Sequence, residues 1–71
     1  MEDIKKDILN KAKGAFYNQG LMRIEGEVGE DKEWKTFYVK SEDFSNEAEF
    51  LTEVGATVDK IHGSIAWKPI I

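Results

Sequence analysis

The stretch LMRIEGEVGEDKEWKTFYVK, residues 21–40, decides the fold. It holds two runs that alternate in character, joined by Gly29-Glu30-Asp31-Lys32, four residues of turn chemistry. The pattern predicts a β-hairpin of strands 21–28 and 33–40. With Val28 opposite Glu33, Met22 faces Val39, Ile24 faces Phe37 and Gly26 faces Lys35. The other side then pairs Arg23 with Tyr38, Glu25 with Thr36 and Glu27 with Trp34. One register makes one face mostly apolar and the other mostly polar, as a half-buried antiparallel pair requires. Gly26 on the inner face either admits a close neighbour or marks a bulge.

Outward from the hairpin, residues 3–18 predict a helix. Ile4, Ile8, Leu9, Ala12, Ala15 and Phe16 fall within a sector of about 140° at 3.6 residues per turn. Only Lys5 intrudes on that sector, and Gly20 is a suitable stop. Residues 45–54, starting as early as 42, predict a second helix with Ser45 or Ser41 as its cap and Gly55 as its stop. Phe44, Ala48, Phe50, Leu51 and Val54 would form its buried side. The tail is ambiguous. Residues 61–67 alternate as one strand would, yet His62-Gly63 could instead turn a hairpin joining 57–61 to 64–68, and Pro69 would end either version. The expectation is a small two-layer α+β domain, order α-β-β-α-β or α-β-β-α-β-β. Two helices would pack on one face of a three- or four-stranded, mainly antiparallel sheet.

A chain of 71 residues has room for one domain and one core, spanning 1–71. Cores of this size rarely supply more than about 3–5 kcal/mol unaided. No Cys is present to help, and His62 is the single imidazole, so neither a disulfide nor a structural zinc site is expected. The remaining sources of stability are good packing, a second copy of the chain in a homo-oligomer, or a bound partner. The lack of Cys fits a reducing, cytoplasmic setting. No run approaches the roughly 20 apolar residues of a membrane span, so no membrane role is expected.

Charge is uneven: residues 1–20 carry +1 and residues 21–71 carry −5, together the −4 of the chain. That balance argues against direct, sequence-independent nucleic-acid binding, which needs a basic surface. Catalytic and cofactor signatures are absent. Gly26-Glu27-Val28-Gly29 has the wrong spacing for a dinucleotide loop. Asp59, His62 and Ser64 have the residue types of a hydrolase triad but crowd six positions of the chain, whereas triad groups converge from separate parts of a fold. The acids of 25–33 lack the spacing of a calcium loop. The expectation is a protein that is no enzyme and holds no metal or cofactor.

Two features carry a functional expectation. Between Ser41 and Asp59 stand six acids and no base, and a helical projection sends Glu42, Glu49 and Glu53 in nearly one direction. Such a run either solvates the domain or meets a basic partner, for example the surface of a nucleic-acid-binding protein, where spaced carboxylates stand in for phosphates. The second feature is the outer face of the hairpin, where Trp34 and Tyr38 lie beside Arg23, Glu25 and Glu27. Aromatics and Arg concentrate interface energy, unless another segment covers them as core. The leading expectation is a small acidic protein-binding module, with inhibition as one use. Its contact residues would be Glu42, Glu49, Glu53, Glu27, Trp34 and Tyr38. The alternatives are a single-stranded nucleic-acid binder using the same aromatics with Arg23, Lys6 and Lys13, and a small enzyme. In composition alone the chain looks like many small phage accessory proteins, with no motif behind the likeness.

Overall fold

A computed structural model describes residues 2–71. The elements are α1 (Glu2–Tyr17), β1 (Leu21–Val28), β2 (Glu33–Lys40), a 3-10 turn (Ser41–Asp43), α2 (Glu47–Asp59) and β3 (Ile61–Ile70). The order is α-β-β-α-β, and the three strands form one antiparallel sheet with β1 in the middle, β2-β1-β3. Both helices lie on one face of it and pack on each other.

The hairpin has the register its alternation predicts, from Leu21 opposite Lys40 to Val28 opposite Glu33. Its connection uses two left-handed residues, Gly29 at φ 78° and Lys32 at φ 54°. The inward positions Met22, Ile24 and Val39 are buried and join Ile8, Ala12 and Ala15 of α1 and Phe50 and Val54 of α2 in the core. Phe50 lies at its centre, 5.3 Å from the Phe16 ring and 5.7 Å edge-on to Phe44. These offset geometries suit the ring quadrupoles.

Five expectations are corrected. The tail is one strand, not a hairpin: residues 57–59 belong to α2, and Ile61–Ile70 pairs with β1 along its length. Pro69 does not end this strand. Ser41 N–H bonds Gly20 C=O at 3.0 Å, so ladder alternation directs the backbone of Met22 at β2 and leaves Pro69, opposite Met22, with its nitrogen toward the open edge.

Gly55 does not stop α2, which runs on to Asp59. Gly55 is buried beside the stem of Lys5, and the extra turn delivers Thr57 and Val58 to α1 and the sheet. Thr57, 2% exposed, donates its hydroxyl to Glu53 C=O at 2.9 Å. Nor is Ser45 or Ser41 the cap: Asn46 accepts the Glu49 N–H at 2.9 Å. Asn46 and Glu49 have the three-residue spacing of a capping box, a signal present in the sequence. Ala48, placed on the buried side by the periodicity, is exposed.

Helix α1 ends through Gln19 rather than Gly20. Gln19 takes φ 58°, its N–H bonds Phe16 C=O, and Gly20 N–H reaches Ala15 C=O at 2.7 Å. This is a Schellman closure with a non-glycine residue in the left-handed position. Lys5, which intrudes on the apolar sector of α1, bonds both carboxylate oxygens of Asp59, at 3.0 and 3.2 Å, and so ties the start of α1 to the end of α2.

Candidate binding surfaces

The sheet separates the six predicted contact residues into two groups. Glu27, Trp34 and Tyr38 lie on the face away from the helices, while Glu42, Glu49 and Glu53 belong to the 3-10 turn and α2 on the helical side. Tyr38 and Glu53 meet only at a shallow groove along the edge of β2. The shared direction read from a helical projection does not hold for Glu42, which stands outside α2.

No helix covers the outer sheet face, and Trp34 and Tyr38 are 49% and 57% exposed. Its carboxylates are internally engaged. Glu25 Oε1 accepts from Trp34 Nε1 at 3.2 Å and from Thr36 Oγ1 at 3.0 Å. Glu25 Oε2 lies 3.6 Å from Arg23 Nε, an ion pair but no hydrogen bond, so that buried nitrogen has no hydrogen-bond partner. The Trp34 and Thr36 bonds, with the Arg23 charge, hold the Glu25 carboxyl below the usual carboxylate range.

Glu27 has a structural task. Between Val28–Ile61 and Gly26–Ile65 the register slips, so three residues of β3 face Glu27 alone. The Ser64 N–H in this bulge donates to Glu27 Oε1 at 2.9 Å. Gly26 permits the bulge, since a Cβ there would collide with Ser64 C=O. The same strand carries Lys68 to a place opposite Arg23, so Tyr38, Arg23 and Lys68 form one row across the three strands.

On the helical side the carboxylates are differently disposed. Glu42, Asp43, Glu47, Glu49 and Glu53 are exposed. Among the described residues the ion pairs are Lys5–Asp59 and Arg23–Glu25, and neither includes any of these five. Glu49 makes one long contact, accepting the Ser45 N–H at 3.4 Å. Lys60 stands nearby but sits over the Phe37 ring, 5.3 Å from its centroid. Glu42 and Glu47 border a cleft whose other walls are Phe16, Tyr17, Gln19 and Ser41.

Asp59, His62 and Ser64 form no relay: Asp59 is held by Lys5, and Ser64 N–H by Glu27. His62 lines a surface groove with Gly29, Glu30 and Lys32. Among the described residues, no three His, Asp or Glu side chains are grouped so as to hold a metal ion. Nor, among the described residues, is any helix long and apolar enough to cross a membrane.

Sequence reasoning missed the cleft, because its walls come from the end of α1 and from the β2–α2 connection, segments that only the tertiary fold brings together. It also missed Lys68, whose position depends on the pairing of β3. Compared with protein-family models, curated proteins and solved structures, the chain matches none.

Proposed function

We propose that this protein is a binding module that engages a basic protein surface through the carboxylates of the 3-10 turn and α2. The observation that carries the reading is their freedom. Five acids, Glu42, Asp43, Glu47, Glu49 and Glu53, project from one connection and one helix without an internal counter-ion among the described residues. Like charges at the i, i+4 spacing of Glu49 and Glu53 cost a few tenths of a kcal/mol, and a positively charged partner relieves that cost. Opposite fields also speed the encounter. The test is capture from native extract on immobilised wild-type chain and on a Glu49→Lys/Glu53→Lys variant. A basic protein retained by the first and lost from the second is expected. Equal retention by both would sink the electrostatic mechanism.

A second reading has its own observation. The outer sheet face presents Trp34 and Tyr38 beside Arg23, Lys40 and Lys68, while Glu25 and Glu27 on that face are internally engaged. Exposed rings next to cations suit single-stranded nucleic acid. This reading requires an oligo-dT 12-mer to quench Trp fluorescence at low salt and to lose affinity as salt rises. An unchanged spectrum removes it.

A further inference from the structure

We infer that the cleft between the end of α1 and the β2–α2 connection receives one alkylammonium or guanidinium group, the head of a lysine or arginine side chain on the protein partner. This deepens the acidic-surface reading and rests on it.

Four features of the cleft favour a cation of this type. Glu42 and Glu47 reach it from two different elements, both exposed and neither in an ion pair among the described residues. Ser41 lines it while only 8% exposed, and its hydroxyl takes part in none of the side-chain hydrogen bonds among the described residues. A hydroxyl in the wall of a cleft can accept an incoming N–H. Phe16 and Tyr17 supply ring surface, which attracts a desolvated cation. Helix α1 ends here with no basic residue in its last turn, so the negative end of its dipole is uncompensated.

Other ligand classes fit worse. An anion would meet two carboxylates and a helix C-terminus. A hard metal ion wants six or more oxygens in a tight shell, and two carboxylates with one hydroxyl fall short. An apolar ligand would leave Glu42 and Glu47 facing hydrocarbon. A basic side chain satisfies all four features together: its head takes the carboxylates and the hydroxyl, and its stem lies along the rings.

The test follows amide chemical shifts of 15N-labelled chain titrated with deca-lysine and with n-butylammonium, 1-butanol being the neutral control. Deca-lysine and n-butylammonium are expected to move Tyr17, Gln19, Ser41, Glu42 and Glu47, and 1-butanol is not. Glu42→Gln/Glu47→Gln is expected to weaken deca-lysine about five- to tenfold, as loss of two exposed pairs implies. Glu30→Gln/Glu33→Gln removes the same charge at the hairpin and is expected to change affinity by less than about twofold. Tyr17 is 86% exposed, so Tyr17→Ala leaves the fold intact and is expected to lower affinity about threefold.

Equal weakening by the two double variants overturns the cleft. So does deca-lysine binding at Glu49 and Glu53 with the cleft amides unmoved, which leaves the acidic-surface reading standing. No deca-lysine binding at low salt overturns both. Binding of n-butylammonium as tight as that of deca-lysine makes the cleft a site for free amines and overturns the assignment to a protein side chain.

Discussion

Three glycines divide by what surrounds them. A Cβ on Gly26 would collide with Ser64 C=O and crowd Ile61 Cγ2 at 2.7 Å, whereas one on Gly14, in α1, would meet nothing within 4 Å. Gly26→Ala is therefore expected to destabilise the protein by about 2–3 kcal/mol through overpacking against backbone. Gly14→Ala is expected to stabilise it by about 0.5–1 kcal/mol, the helix cost of glycine. Urea denaturation measures both, and a harmless Gly26→Ala would mean that the bulge can move aside. Gly63 belongs with Gly26, since a Cβ there would strike the Glu27 carboxylate. Glu25 offers a titration. Its folded pKa lies below the unfolded value, so its stabilising contribution is complete above the ordinary Glu range, near pH 4.3, and disappears as pH falls through the folded value. The Trp34 indole N–H resonance should follow this titration, with its midpoint below that of an unstructured Glu. Glu25→Gln should abolish that step, and a step that persists would mean another group causes it.

At the scale of elements, α2 shows how a local signal loses to its surroundings. Glycine reads as a stop from propensity alone, but Gly55 is buried where the stem of Lys5 passes over α2. Continuing the helix buries Thr57 and half-buries Val58, which outweighs about 1 kcal/mol of glycine cost. The start of α2 rests on Asn46, so Asn46→Ala is expected to cost about 1 kcal/mol in urea denaturation. An equal loss from Ser45→Ala would argue against this cap. The hairpin register was legible because both strands obey period two with one face apolar, and a slip of β2 by one residue would turn Phe37 and Val39 outward while Met22 and Ile24 stay inward. Helix α1 was legible from its 3.6-residue stripe. The bulge in β3 was not, because its cause is a carboxylate 37 positions away along the chain, Glu27.

For the molecule as a whole, β3 completes the sheet. It covers the second edge of β1 and adds Ile61, Ile65 and Trp67 beside the core. A chain ending at Lys60 is expected to lose cooperative thermal unfolding by circular dichroism, whereas the full chain should melt in one transition. Retained cooperativity in the shortened chain would show that the hairpin and helices suffice. The acidic run was plain in the composition, but its division from Trp34 and Tyr38 was not, since it depends on which face of the sheet the helices take. Nothing local encodes that choice.

Pro69 also gives the two sheet edges unequal prospects. The β3 rim lacks a donor at that position and is bent by the bulge, two devices that discourage another strand from joining. The β2 rim has neither, and ladder alternation leaves the main-chain groups of Trp34, Thr36, Tyr38 and Lys40 pointing outward from it. Lateral addition is thus one-sided. Two copies joined β2 to β2 would form a six-stranded sheet bounded at both ends by proline-bearing strands, a unit that self-terminates instead of polymerising.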